Sequence, residues 1–257
     1  MNGDRMRVKT GIHGLDRLIG GGLPKGSCTL LSGKCGTGKT ILSMQYVVKG
    51  ITEHGEPGVF VSFECEPEFL YEEMRSFGWR LKDLENQGNI EFMGGTLDRI
   101  TKFGRKVGAK GEDLIEEIVG VVREKRADRL ALDGLAQFSM LFPDKLAFRS
   151  GLARLQRELN KLGCTSILTS EVDEGKGGLS RLGVEEYVAD GVIVLYYEGD
   201  GLARTRALEV RKMRGTGHSD HMSFFDITDK GIKIVKLEEI SALRKVPKKS
   251  RKRRRSA

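Results

Sequence analysis

The stretch GKCGTGKT, residues 33–40, lies between the apolar run CTLLS and the segment TILSMQYVVKGI, and this order constrains the fold more than any other feature. It is an instance of G-x-x-x-x-G-K-[ST]. Gly33, Gly36 and Gly38 allow backbone angles that a Cβ would forbid, so successive N–H groups can turn toward one concave space. CTLLS (Cys28 to Ser32) predicts a strand, and Thr40 to Ile51 repeats its apolar residues at helical spacing. Strand, loop and helix in that order form a phosphate cradle, with the positive end of the helix facing the anion. Lys39 is placed to reach the β- and γ-phosphates of ATP, and the Thr40 hydroxyl to meet Mg²⁺. Lys34, Cys35, Thr37 and Ile41, in or beside the loop, join them as candidate ATP-binding residues.

Downstream, apolar strands alternate with helical stretches. GVFVSF (58–63), NIEFMG (89–94), RLALD (129–133) and CTSILTS (164–170) predict strands. Segments 67–77, 112–126 and 145–163 predict the helices between them, the first with Pro67 at its opening turn. Such alternation predicts an α/β domain with a mostly parallel central sheet and helices on both faces. After Asp190 the pattern changes. GVIVLYY, TRALEVRKM, HMSFFDIT and GIKIVKL are separated only by turns, which predicts C-terminal antiparallel hairpins. No repeat and no internal linker interrupts the body, so residues 1–243 are expected to form one domain.

In an open parallel sheet, ligands sit at the carboxyl ends of the strands. Asp133 ends RLALD, where a magnesium-holding carboxylate of the Walker B kind belongs. Glu64 ends GVFVSF and is the candidate general base, provided its strand lies near the cradle. An acid after a buried strand is also an ordinary helix cap. Thr169 and Ser170 end the next strand and are candidate sensors of the γ-phosphate.

The net charge of +8 is concentrated at one end. Arg244 to Ala257, RKVPKKSRKRRRSA, holds nine basic residues and no acid; without it 35 Lys+Arg face 36 Asp+Glu. Pro247 and the like-charge run predict a disordered tail over 244–257. Arg244 to Arg255 suits a nucleic-acid backbone, an acidic protein, or a merely solubilising end. The four cysteines (28, 35, 65 and 164) show no C-x-x-C spacing and read as reduced thiols rather than a zinc site or disulfide frame. No run of 18 apolar residues spans a membrane, and the polar start MNGDRMRVKTG lacks a signal-peptide core, so a cytoplasmic protein is expected.

The stretch TGIHGLDRLIGGGLPKGSCTLLSGKCGTGKT resembles the opening of a KaiC domain, within the wider RecA/RadA group of ATPases. EPGVFVSFE, SFGWRLKDLENQGNIEF, SRLGVEEYVADGVIVL and KMRGTGHSDHMSFFDITDKGIKI carry the likeness on, from about Thr10 to Val235. The resemblance implies a RecA-type P-loop NTPase fold, ATP and Mg²⁺ as cofactors, and assembly into a ring, usually of six subunits, with nucleotide at the interfaces. It implies that Gly33 to Thr40 bind the triphosphate and that Asp133 serves the magnesium. It also implies that Lys212, Arg214 and His218, in KMRGTGH, reach the γ-phosphate of a neighbouring subunit. Read from the residues alone, that basic turn is equally a solvated loop. Arg206 and the SFGW turn (76–79) are implied to flank the adenine.

Two departures qualify the likeness. The family's glutamate pair after the second strand reads Glu64-Cys65 here, which leaves one base candidate and bears on the rate of hydrolysis. The clock protein KaiC carries two such domains, and its autophosphorylated segment falls near GVEEYVADG, which has no Ser or Thr. An autokinase is not supported. Three functions remain: an ATPase acting on or regulated by nucleic acid, in a recombination or repair accessory role; a nucleotide switch that binds a protein partner in signalling; and a protein phosphotransferase.

Overall fold

Strands buried along their whole length need cover on both faces, and this chain supplies it with helices. The computed structural model describes residues 6–95, 110–172, 178–199 and 204–235. In chain order, β1 (Arg7–Val8), α1 (Leu15–Leu18) and β2 (Leu23–Pro24) precede β3 (Cys28–Gly33) and α2 (Lys39–His54). Next come β4 (Gly58–Ser62), α3 (Pro67–Met74), α4 (Leu81–Asn86) and β5 (Ile90–Gly94). Then follow α5 (Gly111–Lys125), β6 (Arg129–Asp133), α6 (Leu135–Ser139), α7 (Lys145–Lys161) and β7 (Thr165–Glu171). The described part closes with α8 (Glu185–Val188), β8 (Gly191–Glu198), β9 (Thr205–Met213), β10 (Ser223–Thr228) and β11 (Gly231–Ile234).

Nine strands form one sheet in the order β11-β10-β9-β8-β3-β7-β6-β4-β5. From β8 to β5 every pairing is parallel, and from β8 through β11 every pairing is antiparallel. The expected parallel sheet with C-terminal hairpins is what the chain forms. Strand alternation sends Leu30, Val59, Val61, Leu130, Leu132 and Leu168 to one face, under α5 and α7. Leu31, Phe60, Ala131, Ile167 and Ile193 go to the other, under α2 and α3. Each fully buried leucine, such as Leu155 of α7, contributes roughly 1.5–3 kcal/mol relative to exposure.

Short elements escape the reading of the sequence because they contain too few turns for a period to show. The two-stranded β1–β2 sheet, α1, α4, α6 and α8 are of this kind. The helix expected over 67–77 ends at Met74 and tightens into a 3₁₀ turn at Arg75–Phe77. The tail 244–257 and residues 173–177 of the loop following β7 lie outside the described residues.

One buried cation fastens α2 to the sheet. Arg129, fully buried, donates from Nε to Glu56 Oε2 at 2.6 Å and from a terminal nitrogen to Tyr46 O at 2.7 Å. Its guanidinium lies 4.6 Å from the centre of the Tyr46 ring. The helix that follows the glycine loop is thereby tied to the strand that carries Asp133.

Candidate nucleotide site

The loop between β3 and α2 is built on left-handed glycines. Gly36 has φ 74° and Gly38 φ 100°, angles that L side chains rarely adopt. Open space surrounds Gly36, whereas a Cβ on Gly33 would lie 2.7 Å from Leu195 O and Thr37 Oγ1. Thr37 Oγ1 donates to Lys34 O at 2.8 Å and holds the turn shut. Lys39 lies across the loop, donating to Gly33 O at 3.0 Å and Lys34 O at 3.1 Å. Lys34 itself reaches Glu198 at 3.9 Å, Cys35 is exposed at the tip, and Ile41 packs partly buried behind it.

Asp133 ends β6 at the same end of the sheet, almost fully buried. It accepts the Thr40 hydroxyl on Oδ2 at 2.8 Å and the Thr169 hydroxyl on Oδ1 at 2.6 Å. Burial pushes its carboxyl above the usual range, against these two hydrogen bonds. Glu64 was expected to need a strand beside the cradle, but β7 and β6 stand between β3 and β4. It joins the site by another route. Phe63 N donates to Asp133 O at 2.9 Å, the last rung of the β4–β6 ladder, so Glu64 follows beside Asp133 and Gly134. Burial, then the charges of Asp133 and Glu171, push the Glu64 carboxyl up to about 7, while Lys39 opposes them.

Asp133, Glu64 and Glu171 stand within electrostatic reach of Lys39, and Arg181 lies 3.6 Å from Glu171. Hydroxyl, buried carboxylate and ammonium are the donor set that Mg²⁺ with a polyphosphate takes, so the residues fit both. Glu171 is the member that the sequence did not reveal; as the last residue of β7 opposite Gly33, its register is the signal that finds it.

Ser170 departs from expectation. Neighbouring strand residues face opposite ways, so Thr169 meets Asp133 while Ser170 Oγ donates to Glu185 Oε1 at 3.2 Å. Arg206 meets the loop: it donates to Gly36 O at 3.4 Å, and its guanidinium lies 4.1 Å from the Tyr197 ring centre. Trp79 of the SFGW turn packs beside Gly231, at the start of β11.

Lys212, Arg214 and His218 are not brought to this chain's own cradle. Leu195 opposite Gly33 pairs with Leu208, whereas Lys212 pairs with Val192, opposite Leu30. Three rows along the strands put Lys212 about 10 Å toward the far end of β3, and Arg214 is farther still. Lys212 Nζ donates to Glu186 O at 3.0 Å and Ala189 O at 2.6 Å; burial, then Arg214, lowers its pKa. Arg214 donates to Tyr187 O at 3.4 Å and lies 3.6 Å from Asp190. His218 Nδ1 is 3.1 Å from Ser219 O.

A nucleotide loop at the carboxyl end of a mostly parallel sheet, with Asp133 against Thr40, defines a P-loop ATPase of the RecA-type fold. The family model for the KaiC ATPase matches residues 8–239, and the chain belongs to that family. It is 39% identical over 233 residues to the circadian clock oscillator protein KaiC of Synechococcus elongatus, covering 90% of this chain and 44% of that one. It is 40% identical over 239 residues to the circadian clock protein KaiC3 of Synechocystis, covering 91% and 46%. The chain thus spans less than half the length of these relatives. A crystal structure of a KaiC-like protein from the hyperthermophilic archaeon Pyrococcus horikoshii OT3 is similar, with TM-score 0.78 and 37% identity over 90% of this chain and 99% of that one. Among the described residues no helix is long and apolar enough to cross a membrane.

Proposed function

We propose that this chain hydrolyses ATP with Mg²⁺ in a site completed by a neighbouring copy of itself. The observation that carries the reading is the division of the charged groups between the two ends of one sheet. Lys39, Thr40, Asp133 and Glu64 converge at the carboxyl end of β3, while Lys212 and Arg214 sit toward its start. One chain cannot present both groups to one phosphate, but adjacent chains in a ring can, and the family resemblance favours six copies.

In this reading the loop N–H groups of residues 34–39 and Lys39 bind the β- and γ-phosphates. Thr40 and Asp133 would hold Mg²⁺, which would supply positive charge at the phosphates. Glu64 orients a water and takes its proton as the water oxygen bonds to the γ-phosphorus and the bond to the ADP oxygen breaks. ADP and inorganic phosphate result. A carboxyl held near 7 suits such a base at neutral pH. Lys212, Arg214 and His218 of the neighbour offset the charge that gathers on the γ-phosphate.

What the hydrolysis serves is read from charge. Nine cations on a near-neutral body favour a nucleic-acid backbone as the regulator or target, with a protein-directed switch as the alternative. The shared site is tested by mixing Arg214→Ala protein, which keeps its cradle, with Glu64→Gln protein, which keeps its finger. Each alone should turn over 10²–10⁴-fold or more slowly, and the mixture should recover activity. No recovery in oligomers shown to hold both chains would refute the shared site.

A further inference from the structure

One buried acid remains without a role in this account. Glu185, 1% exposed, stands at the start of α8 and accepts four hydrogen bonds. Oε1 takes the hydroxyl of Ser170 at 3.2 Å and Leu182 N at 3.4 Å; Oε2 takes the hydroxyl of Ser180 at 2.7 Å and Val184 N at 3.0 Å. A side chain so fully engaged fixes the segment around it, since losing it strands several buried donors at once.

That segment is tied to the cradle strands on one side. Ser170 and Ser32 are register partners on β7 and β3, one residue before Glu171 and Gly33. The Ser32 hydroxyl donates to Leu179 O, and the Ser180 hydroxyl lies between the carboxyl groups of Glu185 and Glu186. On its other side the segment carries the basic pair. The carbonyls of Glu186 and Ala189 hold Lys212, and Tyr187 O and Asp190 hold Arg214. Asp190 is anchored in turn by Cys28 N at 3.0 Å and Gln156 Nε2 at 2.9 Å. Residues 185–190 are a shelf, and both cations lie on it.

We infer that Glu185 is a positioning residue for the finger that this chain offers to its neighbour: by locking the shelf at residues 185–190 it sets where Lys212 and Arg214 point. The inference rests on the shared-site reading above and adds a direction to it. Glu185 serves the site of the next chain, because the groups it orients lie away from its own cradle. Removing its acceptors frees the shelf to shift, and a displacement of about 1 Å at a positioning contact costs about 10²-fold in rate.

The test places Glu185→Gln on one side of the interface at a time. The parent mixture is Arg214→Ala with Glu64→Gln, whose productive interface joins the cradle of the first chain to the finger of the second. With Glu185→Gln added to the Glu64→Gln chain, saturated turnover should fall at least tenfold below the parent mixture. KM should stay unchanged, since the cradle belongs to the other chain. With Glu185→Gln added to the Arg214→Ala chain, the parent rate should persist. Ser180→Ala, which removes the hydroxyl between Glu185 and Glu186, should reproduce the asymmetry more weakly; it decides the matter if Glu185→Gln protein does not fold, as judged by its melting curve and binding of a fluorescent ATP analogue. Loss in both arrangements, or in neither, overturns the inference and leaves the shared site standing. Failure of the parent mixture itself overturns both.

Discussion

Asp133→Asn separates the role of this residue in the fold from its role at the metal. Asn keeps the size and an acceptor for the Thr169 hydroxyl, and its amide can donate to Thr40 Oγ1, so both contacts of the buried side chain survive. Burial disfavours the charged form of Asp133, so the neutral isostere removes a buried charge rather than a stabilising one. The unliganded variant should therefore melt within a few degrees of the parent, or above it, because about 1 kcal/mol moves a domain of this size by roughly 2–4 °C. Ligand binding should behave differently. At a Mg²⁺-ATP concentration of 100 Kd the parent gains about 2.7 kcal/mol, or about 5–11 °C. A loss of about 100-fold in affinity, typical when a group beside a metal is removed, leaves about 0.4 kcal/mol and a shift of only 1–2 °C. Differential scanning fluorimetry with and without Mg²⁺-ATP measures both quantities. An unliganded melting point lower by 8 °C or more would make Asp133 structural, and an undiminished ligand shift would remove it from the metal site.

Lys39→Ala should abolish binding of a fluorescent ATP analogue at equilibrium, and unchanged affinity would overturn the phosphate-cradle reading. Because burial and neighbouring acids raise Glu64 to about 7 and the base acts in its deprotonated form, kcat/KM should rise with pH to a limb centred near that value and level off above it. Glu64→Gln should lose that limb together with 10²–10⁴-fold in turnover while retaining ATP; a limb that persists places the base elsewhere. If Arg244 to Arg255 tracks a single strand, nine cations imply a slope of log K against log[salt] approaching about −6, a 10³–10⁴-fold weakening from 50 to 200 mM salt. Deleting residues 244–257 should remove most of that slope and leave ATP binding intact. No oligonucleotide binding by the full chain at 50 mM salt would turn the assignment to the protein-directed switch.

Local chemistry wrote the parallel sheet, the glycine loop and the turn to hairpins into the sequence, because each follows from residues close in the chain: apolar runs of strand length, helical periods, and glycines where L side chains cannot go. Thr40 and Asp133 were nameable for the same reason, each by its place at a strand or helix end. Their approach to 2.8 Å was not, since strand order is set by how the helices cover the sheet and not by any one segment. That order put two strands between β3 and β4, and only the direct pairing of β4 with β6 set Glu64 beside Asp133. Register likewise chose between neighbours: it turned Thr169 to Asp133, Ser170 to Glu185, and Glu171 toward the cradle. It also set Lys212 and Arg214 at the other end of the sheet, because pairing across strands and not distance along the chain decides which end a residue occupies.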